Sequence, residues 1–92
     1  MKDDAITVLS KLRQLFDGYK TTIADMRPEW HVDRDNRCVV LRAHCVCRNS
    51  VRHIDFRYST SDLANMEHAW HEGQRLGESH RLELISAQEG CE

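Results

Sequence analysis

The side chains able to do chemistry crowd into one short stretch, His44-Cys45-Val46-Cys47, with His53 and Asp55 a few residues on. Thiolates and imidazoles are the usual ligands of zinc. A histidine beside a carboxylate can move protons near neutral pH. A second histidine pair, His68 and His71, is followed by Glu72. Its i, i+3 spacing suits helical metal ligands, but the order H-x-x-H-E matches neither H-E-x-x-H nor H-x-x-E-H. Four arginines, Arg42, Arg48, Arg52 and Arg57, share the first stretch and offer contacts to phosphate or to an acidic protein.

What these groups can do depends on the elements that hold them. Residues 37–48 alternate between apolar and polar, and residues 51–59 alternate again, with Asn49-Ser50 between them. A two-residue turn there pairs Leu41 with Tyr58, Ala43 with Phe56 and Cys45 with Ile54 on one face. The other face pairs Arg42 with Arg57, His44 with Asp55 and Val46 with His53. Glu29 to Val32 predicts a shorter strand before it, joined through Asp33-Arg34-Asp35-Asn36, with Trp30 opposite Val39 on the apolar face.

A first helix is expected from Ile6, Leu9, Leu12, Phe16, Tyr19, Ile23 and Met26, widened by Val8 and Leu15. Asp3 and Asp4 supply its N-cap, Gly18 weakens it, and Pro28 ends it. Ser59-Thr60-Ser61-Asp62 caps a second helix with the stripe Leu63, Met66, Trp70, Gly73 and Leu76, and Gly77 as its C-cap. Residues 79–86 suit either a short fourth strand or a helical continuation. The expected fold class is α+β: α-β-β-β-α, a three-stranded antiparallel meander covered on one face by two helices, with that short fourth strand after Gly77 left open. Residues 1–86 form one domain, and 87–92 form a loose tail.

This register separates the candidate ligands. Cys45 and Cys47 turn to the core, while His44 and His53 turn outward, so no tetrahedral metal site forms and none is expected. His44, His53 and Asp55 share the outer face, yet no nucleophile accompanies them and a flat sheet does not exclude water. His68 points away from its helix stripe. Gly18, Gly73, Gly77 and Gly90 are isolated, so there is no phosphate-binding loop and no cofactor is expected. The chain is expected not to be an enzyme.

Ninety-two residues with 40% hydrophobic and 30% charged side chains exclude collagenous, low-complexity and wholly disordered chains. No run approaches the roughly 18 apolar residues of a membrane span. The opening segment is amphipathic rather than greasy, so no secretory signal is expected; the cytoplasm, with reduced thiols, is the expected compartment. Cys91 lies second from the end, which is no prenylation box. The formal charge of −2 conceals polarity. Residues 27–58 carry seven arginines against four acids, and residues 59–92 carry two arginines against seven acids.

The order α-β-β-β-α is similar to that of double-stranded-RNA-binding domains. Their basic cluster at the start of the last helix is missing here, where Ser61-Asp62-Leu63-Ala64-Asn65 stands. The outer face also lacks aromatics for stacking on bases. The expectation is therefore a small non-catalytic protein-binding module. An adaptor or stoichiometric inhibitor of the bacterial or phage regulator type fits, including an inhibitor of host defence. It would bind another protein, one belonging to a nucleic-acid-binding complex included, and no membrane. Its binding residues would be Arg42, His44, Arg48, Arg52, His53 and Arg57 on a basic sheet face, or Glu67 and Glu72 on an acidic helix. The alternative is a small nucleic-acid-binding protein using the basic face. The helix seam and open sheet edge also permit a homodimer.

Overall fold

Alternating side chains over the middle of the chain make the expected meander. The computed structural model describes residues 5–47 and 50–89. Helix α1 (Ala5–Ile23) leads through a 3₁₀ turn (Ala24–Met26) into strands β1 (Glu29–Asp33), β2 (Cys38–Cys47) and β3 (Ser50–Ser59). A short helix α2 (Thr60–Ala64) and a long helix α3 (Ala69–Glu89) follow. The three strands form one open antiparallel sheet in the order β1-β2-β3. The expected caps Asp3 and Asp4, Asn49 of the expected turn, and Cys91 lie outside the described residues.

Both hairpins are displaced from the expected register by two residues. Leu41 lies opposite Phe56, Ala43 opposite Ile54 and Arg42 opposite Asp55, and pairing closes at Cys47 and Ser50. In the first hairpin Trp30 lies opposite Leu41 rather than Val39, and Asp33 pairs with Cys38. The physical reasons are local. The observed register sets Arg42 against a carboxylate instead of against Arg57, and like charges directly opposite destabilise a sheet. Asp33 ends its strand because its carboxylate accepts from the Asn36 backbone N–H at 3.3 Å and from Asn36 Nδ2 at 2.8 Å. Arg37 then closes the turn in the left-handed region, at φ 50°. A slip of two residues leaves the apolar row on the helix side and the polar row on the outer side.

The helices lie on the face carrying Val39, Leu41, Ala43 and Tyr58, where the core also gathers Leu12, Leu15, Tyr19, Ile23, Leu63 and Leu84. α1 stops near Pro28 as expected. Its last turn tightens to 3₁₀, and Arg27 takes the left-handed conformation at φ 49°. Arg81 of α3 donates to the Thr22 carbonyl at 3.1 Å and to Asp25 at 2.7 Å. It thereby satisfies one of the carbonyls that a helix end leaves without a partner.

The second helical region corrects the expectation in two ways. It is two helices, not one. Ser59 caps α2, accepting from the Asp62 N–H at 3.0 Å. Asn65 then folds back on the Ser61 carbonyl through both its backbone N–H and its side chain, and the Lys11 ammonium takes the Met66 carbonyl. Of the two alternatives left open for residues 79–86, the helical continuation is the one observed, since α3 runs through them. Gly77 is no C-cap, since no glycine of the described residues has positive φ.

The three helical glycines have a different use. A Cβ on Gly73 would stand 1.8 Å from the Leu15 carbonyl oxygen, and one on Gly18 would stand 1.9 Å from that of Trp70. A Cβ on Gly77 would stand 2.0 Å from Thr22 Oγ1. α1 and α3 therefore touch backbone to backbone. Beside this seam the buried Tyr19 hydroxyl lies 2.7 Å from His80 Nδ1. Burial lowers the His80 pKa and so favours the neutral ring in this contact.

Gly73→Ala separates this close contact from helix propensity. In a helix without neighbours alanine adds about 1 kcal/mol of stability. Here urea denaturation should show a loss of about 2 kcal/mol or more, because the methyl group must push the two helices apart.

Candidate functional site

The side of the sheet away from the helices is the expected binding face, and its rows follow from the register. Glu29, Arg42 and Asp55 stand in one row, with His31, Val40 and Arg57 in the next. On the other side of the first row His44 faces His53, then Val46 faces Val51 near the hairpin tip. Val40 is fully buried although its face carries no helix; it sits in the central strand between His31 and Arg57. Val46 and Val51 are 54% and 56% exposed.

Arg42 grips Asp55 through two hydrogen bonds, Nε to Oδ1 at 2.6 Å and Nη2 to Oδ2 at 2.8 Å. This paired geometry is the strong form of the arginine–carboxylate contact. The Arg42 guanidinium holds the Asp55 carboxyl below the ordinary carboxylate range. His44 Nε2 lies 2.7 Å from a Glu29 oxygen, and this hydrogen bond lowers the Glu29 pKa. The His44 and His53 rings are 6.1 Å apart between centroids.

These contacts rearrange the expected cluster. His44 and His53 stand directly opposite rather than diagonally, and Asp55 belongs to Arg42. The His44–Asp55 pair does not form; Glu29, from the neighbouring strand, replaces it. Sequence reasoning missed Glu29 because its position across from Arg42 depends on the first hairpin's register. Among the described residues no group of three or more His, Cys, Asp or Glu could hold a metal ion. Cys45 packs at the edge of the core on the helix side, as expected.

The arginine-rich character expected of this face is much reduced. Arg52 stands opposite Cys45, on the helix side of the sheet, and Arg48 lies outside the described residues. Arg42 and Arg57 remain, against Glu29, Asp33 and Asp55. The acidic helix surface is reduced as well. Glu72 accepts from the Tyr58 hydroxyl at 3.2 Å and binds Arg75, and only Glu67 of the expected pair is exposed. His68 precedes α3 instead of sharing its face with His71, and its carbonyl accepts the Glu72 N–H at 2.9 Å.

A second surface was not foreseen. Trp30 and Phe56 were expected in the core, along with Ile6 and Leu9 of the first helix stripe. Instead Ile6 is 77%, Leu9 51%, Trp30 41% and Phe56 44% exposed. Trp70, also expected in the core, is partly exposed. The helices cover the middle of the sheet and leave its margins bare. Between α1 and β1 this opens a groove of about 470 Å³ lined chiefly by Val8, Leu9, Leu12, Trp30, Val32 and Val39. The first turns of the α1 stripe are its only sequence signal.

Comparison with known protein families, curated proteins and solved structures finds no match. No helix among the described residues is long and apolar enough to cross a membrane.

The Arg42–Asp55 pair should show itself through pH. The folded-state pKa of Asp55 lies below its unfolded value of about 3.9. The pair's contribution is therefore complete above that value and disappears as pH falls through the lower, folded one. Urea midpoints of the wild type and Asp55→Asn should differ at neutral pH and converge under strong acid.

Proposed function

We propose that the chain is a non-catalytic protein-binding module, an adaptor or a stoichiometric inhibitor, that docks through its uncovered sheet face. The observation that carries this reading is the exposed Val46–Val51 pair on a face whose central arginine is already bound to Asp55. A guanidinium held by a carboxylate is a poor phosphate ligand, and three acids beside two arginines repel a polyanion. Small apolar side chains amid fixed, mutually neutralised polar groups match the composition of non-obligate protein interfaces. The partner surface is accordingly mixed, with an apolar centre to meet the two valines and carboxylates placed for Arg57 and His53.

Nucleic-acid binding is the second reading, resting on Arg57 of the uncovered face. The acidic helix is the less favoured docking surface, since Glu72 already holds Tyr58 and Arg75.

The test is affinity purification from nuclease-treated native extract, with wild type beside Val51→Glu and Arg57→Glu. Wild type should retain one stoichiometric protein partner, and each variant should lose at least about tenfold in retention, the scale of a lost interface anchor. Thermal melting should confirm that both variants stay folded. Retention of a partner by both variants would overturn the surface. Binding of arbitrary duplex or single strand that weakens steeply with salt would favour nucleic acid.

A further inference from the structure

The apolar groove differs in kind from the uncovered face, and it adjoins a free sheet edge. β1 has a strand neighbour only on its β2 side among the described residues, and four of its five residues are exposed. The strand contains no lysine, proline or bulge of the sort that guards sheet edges. Its Trp30 and Val32 form one wall of the groove, and Leu9 of α1 stands in the other.

We propose that two copies of the chain pair β1 with β1, antiparallel about a two-fold axis centred on Val32, and so close the groove of each copy against the other. This does not rest on the docking role of the uncovered face.

Charge and backbone donors select both the occupant and the register. A two-fold axis perpendicular to the sheet keeps both helical layers on one side and opposes residues of the same face, so it must pass through a residue. Centred on Trp30, it sets Pro28, which lacks an N–H, against Val32 of the second copy. Centred on His31, it sets Glu29 against Asp33 twice, a repulsive pairing. Centred on Val32, it sets His31 against Asp33 twice and valine against valine within the strand, while Glu29 meets Asp35 only beyond the strand end. Between strand residues the Val32 register opposes no like charges, and it keeps Pro28 outside the ladder. An apolar, edge-pairing surface is also what permanent homodimers bury, in contrast to the mixed face assigned to a separate partner.

The resulting sheet would have six strands, with its uncovered face unbroken across the axis. Two copies of the Val46–Val51 face would then stand on one platform.

Light scattering should give twice the 10.8 kDa chain mass. Val32→Lys and Leu9→Lys should return the chain to one copy, whereas Val51→Lys on the other face should leave the dimer intact. Hydrogen exchange of the wild type needs no variant: amides of β1 should lose protection on dilution while those of β2 keep theirs. A single-chain mass at every concentration would overturn the proposal. So would a dimer indifferent to both groove variants, or β1 exchange independent of dilution. None of these results bears on the partner retention measured with Val51→Glu.

Discussion

Two helices in this chain meet with nothing between their backbones, and most of the architecture follows from that contact. Gly18 and Gly73 each lie where a single added carbon would meet a carbonyl oxygen at under 2 Å. So close an approach brings Tyr19 within reach of His80 and Arg81 within reach of the carbonyls ending α1. It also makes a narrow helical layer. A narrow layer covers Val39, Leu41 and Ala43 in the middle of the sheet and leaves Trp30 and Phe56 at the margins exposed.

Much of the fold was legible because side-chain period alone decides it. The first helix, the three strands and the assignment of the apolar and polar rows to their faces all follow from spacing. The register did not, because periodicity is blind to a slip of two. Only the Asp33–Asn36 contacts and the demand that Arg42 face a carboxylate distinguish the alternatives. The break between α2 and α3 was hidden for a similar reason. The stripe from Leu63 to Leu76 continues through it, while Asn65 turns its amide back to the Ser61 carbonyl. Glycine was the most misleading residue type. Taken singly, Gly18 is a weak point and Gly77 a stop; only the packing of one helix on the other gives them a shared purpose.

The candidate surfaces show the same division. Counting arginines along residues 27–58 suggests a basic platform, but charge acts through neighbours rather than through totals. Asp55 neutralises Arg42, Glu29 reaches His44, and strand parity sends Arg52 to the helix side. What remains uncovered is a balanced surface with valines at its tip. The groove beside β1 was illegible because burial depends on how wide the helical layer turns out to be. No local pattern in Ile6 or Leu9 reports that width.

The helical seam has one more implication. Gly18 sits nine residues beyond Leu9, about 13 Å along the axis at the usual rise. Rigid rods pressed together at one point diverge on either side of it, so the interior contact sets how far the first turns of α1 stand from the strands below. Swapping a hidden glycine for a bulkier residue would reshape an external cleft without altering any residue that lines it. Interior fit and outer contour are therefore one adjustable quantity in this molecule, and selection acting on either must move both.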